Sequence, residues 1–101
     1  MEIKQTKNKN HAILYLTGRF DFKAHRGFKE IYTTLLEDPA ILSLEVNMSD
    51  VEYLDSSALG MLLMLRERTI SENKKLSLSS PNPTVEKILD IANFHKLFTI
   101  I

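Results

Sequence analysis

The fold is decided by residues 41–68, ILSLEVNMSDVEYLDSSALGMLLMLRER, in which an alternating stretch is followed by a dense apolar block. In the first part, apolar side chains alternate with polar ones at Leu42, Leu44, Val46 and Met48. This period of two predicts a β-strand with one buried face. The second part predicts a helix from about Ser56 to Glu72. Between them, LDSSALG (residues 54–60) places a carboxylate and two hydroxyls at a strand-to-helix junction.

Two further helices are predicted from their apolar periodicity. The first runs over residues 23–37, and its buried stripe is formed by Phe28, Ile31, Tyr32 and Leu35 at the spacing i, i+3, i+4 and i+7. The second runs over residues 83–92, and its apolar face is formed by Val85, Ile88, Leu89 and Ala92. Asn82 is the expected N-cap of this last helix, with Pro83 in its first turn.

Strands are predicted between these helices, over residues 2–7, 12–17, 75–80 and 97–101. The resulting order is β-β-α-β-α-β-α-β. Strands that alternate with helices favour a parallel sheet with crossover helices. We therefore expect a single α/β domain over residues 1–101, with a mostly parallel mixed sheet of about five strands. The exception to the parallel pairing is the initial hairpin, which should be antiparallel.

Charge and composition exclude several classes of function. The chain has 13 basic and 13 acidic residues, so its formal net charge is zero. This argues against sequence-independent binding of nucleic acid, which needs clustered positive charge. There is no cysteine, and hence no disulfide or thiolate metal site. Because no signal peptide and no run of ~20 apolar residues is present, we expect a cytoplasmic protein that does not bind membranes.

Motifs for catalysis and for cofactors are also missing. His11, His25 and His95 do not have the spacing of metal ligands. The three glycines are scattered and form neither a dinucleotide-binding fingerprint nor a P-loop. The LDSSALG segment is not the G-x-S-x-G element of a hydrolase. We therefore expect no metal, no cofactor and no enzymatic activity.

Two interpretations of the Asp-Ser-Ser segment stay open at this point. Asp55, Ser56 and Ser57 are all good N-cap residues, and capping alone would explain them. However, one cap is enough for a helix, and the small neighbours Ala58 and Gly60 leave the hydroxyls uncrowded for a partner or a phosphate. Asp21 follows the second strand and is expected at the same rim of the sheet, where sites gather in open α/β folds.

The helix after this segment is apolar on more than one face. We expect the sheet to be contacted by Leu59, Leu62, Leu63 and Ile70. Met61, Met64 and Leu65 should then point outward and be less buried. One interpretation is a helix wedged between neighbours, which is apolar all round. The other is a methionine-rich docking surface for a partner.

Three segments together resemble the STAS domain of bacterial anti-sigma-factor antagonists: LTGRFD (residues 16–21), LEVNMSDVEYLDSSALG (44–60) and SPNPTVEKILDIANFHKLFTI (80–100). The resemblance runs from about residue 10 to the end of the chain. It implies a signalling protein in transcription regulation that is a substrate and switch, not an enzyme. In that family, an anti-sigma-factor-like serine kinase phosphorylates the serine after the aspartate, and this serine corresponds to Ser56 here. The unphosphorylated form binds that kinase and frees the sigma factor, and a PP2C-type phosphatase resets it.

By the same resemblance, Asp21 and Asp55 flank the phosphorylation site. Partner contacts are expected at these two carboxylates and at Ser57 and, from the extra apolar face of the helix, at Met61, Met64 and Leu65. The chain departs from the family at Ala58, where a glycine is usual, and at Asn93, which replaces a glycine that ends the third helix. Many members carry a further C-terminal helix. We therefore expect poorly covered apolar surface near Phe94, Leu97 and Phe98, and a weak homodimer. The alternative function is a STAS scaffold or assembly subunit that is not phosphorylated.

Overall fold

The computed structural model describes all residues, 1–101, and has the predicted order of elements. Its strands are β1 (Glu2–Asn8), β2 (His11–Phe20), β3 (Ser43–Leu54), β4 (Lys75–Ser79) and β5 (Thr99–Ile100). Its helices are α1 (His25–Glu37), α2 (Ser56–Ser71) and α3 (Pro83–Ile91). Short 3₁₀ turns at Phe22–Ala24 and Phe94–Lys96 precede α1 and β5.

The five strands form one sheet in the order β1-β2-β3-β4-β5. The β1–β2 hairpin is antiparallel, and the other three pairings are parallel. This confirms the predicted mixed sheet with a single antiparallel hairpin. Because the parallel strands all end on the same side, the loops that leave β2 and β3 meet at one rim of the sheet.

The strand β3 is longer than the alternation predicts. The alternation ends at Met48, and the next two residues, Ser49 and Asp50, are both exposed. The β2–β3 register shifts opposite this point, between Tyr15 and Thr17, so the strand continues past an irregularity to Leu54. At the other end, Leu42 lies before the strand and is 55% exposed, so its predicted place on the buried face is wrong.

A single hydrophobic core fills the space between the helices and one face of the sheet. The stripe predicted for α1 is confirmed for Phe28, Tyr32 and Leu35, which are buried, whereas Ile31 is partly buried. The α3 face is likewise confirmed: Val85 and Leu89 are buried, and Ile88 and Ala92 pack against the core. Asn82 caps α3 by accepting a hydrogen bond from the Val85 amide at 3.0 Å.

The prediction for the buried face of α2 is wrong at several positions. The buried side chains are Ala58, Met61, Leu62, Leu65 and Thr69. Met61 and Leu65, expected outward, therefore belong to the core, at 4% and 0% exposure. Leu63 and Ile70, expected against the sheet, are 36% and 54% exposed. Only Met64 among the three predicted docking residues is exposed, at 46%.

The physical reason is that α2 is apolar around much of its circumference, so composition alone does not indicate its orientation. The helix begins at Ser56, two residues after the last residue pair of the β2–β3 ladder, and it packs against α1, β3 and β4, which together determine its buried side. From there, Ala58, Met61, Leu62 and Leu65 follow the spacing of one helical stripe.

The segment after α3 is better covered than expected. Phe94 and Phe98 stack with ring centroids 4.9 Å apart and are 3% and 7% exposed, so the predicted open apolar surface is wrong for both rings. Leu97 is 42% exposed, and its carbonyl accepts a hydrogen bond from Arg66 Nε at 2.8 Å. Asn93 adopts a left-handed conformation, φ 60°, as a residue replacing glycine at a helix end can. The weak homodimer stays a prediction.

The second face of the sheet is polar, and Glu45 lies at its centre. The Glu45 carboxylate accepts a hydrogen bond from Ser79 Oγ at 2.6 Å and lies 3.1 Å from His11 Nε2. His11 Nδ1 lies 2.6 Å from Ser43 Oγ. The hydrogen bond from Ser79, followed by the contact with His11, lowers the pKa of the Glu45 carboxyl. These contacts connect β2, β3 and β4 across the polar face.

Candidate functional site

The Asp55 carboxylate is the N-cap of α2. Its Oδ1 accepts hydrogen bonds from the Ala58 amide at 2.8 Å and from Ser57 Oγ at 2.7 Å. The Ser57 hydroxyl lowers the pKa of the Asp55 carboxyl most, and the amides of Ala58, Ser57 and Phe22 lower it further. Asp55 is therefore held as a carboxylate, and both it and Ser57 contribute to the helix start.

Ser56 is placed differently from its neighbours. It is the first residue of α2 and is exposed, whereas Asp55 and Ser57 are half-buried. The capping hydrogen bonds use Asp55 and Ser57, which leaves the Ser56 hydroxyl free to be approached from solvent. Capping thus explains two residues of the segment and does not explain the third.

Asp21 lies at the same rim, as expected. Phe20 and Leu54 are partners in the parallel β2–β3 ladder, and the Asp55 amide donates to the Phe20 carbonyl at 3.3 Å. Asp21 and Asp55 therefore follow neighbouring strand ends. Asp21 caps the 3₁₀ turn before α1 by accepting a hydrogen bond from the Lys23 amide at 3.0 Å.

Ser56 lies on an apolar groove between α2 and α3. The groove is lined by Tyr53, Leu54, Asp55, Ser56, Leu59, Ile88, Ile91 and Ala92. Two of its apolar residues are strongly exposed, Tyr53 at 40% and Ile91 at 75%. We call this surface the α2–α3 groove. A phosphate on Ser56 would put negative charge at its end, beside the Asp55 carboxylate.

A second groove lies on the opposite side of α2. It is lined by Phe22, His25, Ser57, Gly60, Met61 and Met64. Met61 forms part of its floor although only 4% of the residue is exposed, and Leu65 lies in the core and cannot contact a partner directly. Of the partner-contact residues predicted on this helix, the structure thus keeps Ser57 and Met64 at the surface.

Sequence reasoning missed three exposed apolar residues near the site: Phe22, Tyr53 and Ile91. Ile91 is apolar but lies outside the buried stripe of α3, so the helical periodicity of the sequence already indicated that it is exposed. Phe22 follows Asp21 in the turn and is 66% exposed. The Arg19 guanidinium lies over the Tyr53 ring, with its central carbon 4.9 Å from the ring centroid. That pairing depends on the β2–β3 register and has no local sequence signal.

The remaining titratable side chains do not form a metal centre. No group of three or more His, Cys, Asp or Glu side chains is arranged to hold a metal ion. His95 Nε2 contacts Asp90 at 2.9 Å and Glu86 at 3.5 Å on the surface of α3. No helix is both long enough and apolar enough to cross a membrane.

Comparison with known proteins identifies relatives of this arrangement. A model of the STAS domain matches residues 2–101. A STAS-domain containing protein of Pseudomonas aeruginosa (strain UCBPP-PA14) is 45% identical over 87 residues, which cover 86% of this chain and 84% of the relative.

Solved structures have the same fold. An anti-sigma factor antagonist from Mycobacterium paratuberculosis superposes with a TM-score of 0.85 at 16% identity, over 98% of this chain and 83% of that one. The anti-sigma factor antagonist SpoIIAA in its unphosphorylated form gives 0.83 at 18% identity, over 99% and 88%. Its phosphorylated form, from Bacillus, gives 0.76 at 17% identity, over 99% and 91%. The match to the family model over nearly the whole chain, the Pseudomonas relative and the shared fold show that this chain belongs to the STAS domain family.

Proposed function

We propose that the chain is an anti-sigma-factor-antagonist-like binding protein whose partner binding is gated by phosphorylation of Ser56. An anti-sigma-factor-like serine kinase is the proposed partner and phosphate donor, and a PP2C-type phosphatase removes the phosphate. The observation that carries the proposal is the exposed Ser56 hydroxyl, which is free while Asp55 and Ser57 cap the helix. SpoIIAA, which shares the fold, has been solved both with and without its phosphate.

The proposed gate works through charge at the interface. Phosphorylation adds about −1.5 to −2 charges at neutral pH. Here that charge would stand next to Asp55 on the apolar α2–α3 groove, at the rim of the sheet that also carries Asp21. Like-charge contacts and the cost of removing a phosphate from water both oppose docking of a partner on this surface. The fold should persist, because a phosphate at a helix N-terminus can stay in water near free amide groups.

In this proposal the chain acts in the cytoplasm as a kinase substrate and a ligand, without catalysing a reaction. Asp21, Asp55, Ser57 and Met64 are the surface residues proposed to contact the partner. The buried Met61 and Leu65 contribute only by supporting the surface from below.

The test is phosphate mapping after incubation with the kinase and ATP. The unchanged chain should gain one phosphate, and Ser56→Ala should gain none while it remains folded. Ser57→Ala is the matched control, since it removes the neighbouring hydroxyl and keeps the Ala58 amide bond to Asp55. This variant should still be phosphorylated. Phosphate on Ser57, or on neither serine, would contradict the proposal.

The second candidate function is a scaffold that binds a partner without phosphorylation. It is favoured by the exposed apolar residues Tyr53 and Ile91, which are available for docking in the unmodified chain. In that case, a partner would bind equally well before and after treatment with kinase and ATP. Loss of binding after treatment would exclude the scaffold interpretation.

A further inference from the structure

The helices α1 and α2 lie side by side and leave an elongated groove between them. It begins at Phe22, passes over Gly60, Met61 and Met64, and continues to Tyr32 between the two helices. Phe22 and Met64 are 66% and 46% exposed. We call this surface the α1–α2 groove. Flexible methionine side chains suit a surface that adapts to an apolar partner.

Gly60 in this groove is not required by the packing of the chain itself. A Cβ atom at this position would meet nothing within 4 Å, and the residue does not need a positive φ. Glycine inside a helix costs about 1 kcal/mol relative to alanine. Glycine at this position weakens the helix and leaves free space at the floor of the groove, where another molecule could approach the backbone closely.

One side of the groove carries positive charge that the chain does not neutralise. Lys29 lies on this side and takes part in no ion pair. Lys23 and Arg26, at or near the start of α1, are also without an ion pair, but they do not line the groove. The first turn of α1 contains no acidic residue. Cations near a helix N-terminus oppose the helix dipole, so this arrangement does not serve the stability of α1. Lys29 lines the groove directly.

The other side of the groove carries one cation and one carboxylate. Arg68 lines it, and its only acidic partner is Glu37 at 4.0 Å, the limit for an ion pair. Glu67 lines the same stretch, but its carboxylate lies 3.5 Å from the Arg66 guanidinium. An apolar floor between Lys29 and Arg68 therefore presents a stripe of apolar surface with a cation on each side.

From this complementarity we propose that the α1–α2 groove binds an amphipathic helix of another protein, with apolar residues facing Met64 and acidic residues facing Lys29 and Arg68. Helices that dock in grooves present apolar anchors at i, i+3, i+4 and i+7, and flanking charges select among them. The groove lies on the opposite side of α2 from the α2–α3 groove. The groove shares Ser57 and Met64 with the surface proposed for the kinase partner, so helix binding is proposed for the unphosphorylated chain and is measured without kinase.

The experiment uses two fluorescein-labelled synthetic helices with the same leucine stripe, one flanked by glutamates and the other by lysines. Fluorescence anisotropy is measured with the full chain. Each rim charge is expected to change affinity by about twofold to fivefold, so the acidic helix should bind about tenfold more tightly than the basic one. The double variant Lys29→Glu with Arg68→Glu should reverse this preference.

Two further variants localise the binding. Gly60→Leu fills the groove floor and should weaken the acidic helix about tenfold, with the circular dichroism spectrum of the folded chain retained. Lys87→Glu, at an exposed position of α3, is the matched charge control and should change nothing beyond twofold. Ser56→Ala should bind as the unchanged chain does, which separates this result from the proposed phosphorylation. Equal affinity for the two helices, no binding of the acidic helix, or an unchanged preference in the double variant would overturn the proposal.

Discussion

Truncating Leu65 and Met64 separately tests which side of α2 is buried. Leu65 is 0% exposed and belongs to the single core, whereas Met64 is 46% exposed at the surface. Leu65→Ala removes buried methyl groups and leaves a cavity, which typically costs about 2–5 kcal/mol. Met64→Ala removes a partly solvated side chain at a position where alanine is a better helix former, and it should stay within about 0.5 kcal/mol.

The assay is urea and thermal unfolding followed by far-ultraviolet circular dichroism. In a domain of about this size, 1 kcal/mol shifts Tm by roughly 4–8 °C. Leu65→Ala should therefore lower Tm by roughly 10 °C or more, and Met64→Ala by at most a few degrees. Similar m-values for the two variants would show that the difference lies in stability. Equal losses, or a larger loss for Met64→Ala, would refute the assignment of the buried face and the grooves built on it.

Two other predictions concern the carboxylates. Asp55→Ala removes the cap of α2 and should lower stability by about 1 kcal/mol, whereas Asp55→Asn, which can still accept the Ala58 amide bond, should retain most of it in the same unfolding assay. Equal losses of stability in the two variants would show that the hydrogen bond from the Ala58 amide to residue 55 does not stabilise the chain. In the folded chain, the Ser79 hydrogen bond and the His11 contact lower the pKa of the Glu45 carboxyl below its usual 4.5. The ionised Glu45 carboxylate therefore stabilises the fold above the usual pKa, and this contribution is lost as the pH falls through the folded pKa. Glu45→Gln should make the stability less dependent on pH in acid, and Glu52→Gln, at an exposed carboxylate, should leave that dependence unchanged.

Several elements could be predicted from local sequence because each depends on neighbours within one turn or strand. The alternation at Leu44, Val46 and Met48 requires one buried strand face, and the structure confirms it. The Asn82 cap is likewise a contact across three residues. The orientation of α2 was not predictable in this way. Its apolar residues surround the helix, and the packing of α2 against α1, β3 and β4 decides which of them are buried.

The same distinction between local contacts and contacts set by the fold applies to the candidate site. Capping by Asp55 and the exposure of Ser56 follow from helix geometry, and both could be anticipated from the three-residue segment. The groove residues Tyr53 and Ile91 come together only because α3 packs beside the start of α2. They are about forty residues apart in sequence. Local periodicity carries no information about such a pairing, so the α2–α3 groove could be identified only from the three-dimensional structure.

The central claim is that phosphate on Ser56 controls partner binding. Its most direct test is to measure the affinity of the proposed kinase partner for the unmodified chain and for the chain phosphorylated at Ser56, by calorimetry in one buffer. The account predicts at least about a tenfold weaker affinity for the phosphorylated chain, equivalent to about 1.4 kcal/mol, with an unchanged circular dichroism spectrum. Equal affinity of the two forms, both folded, would contradict it.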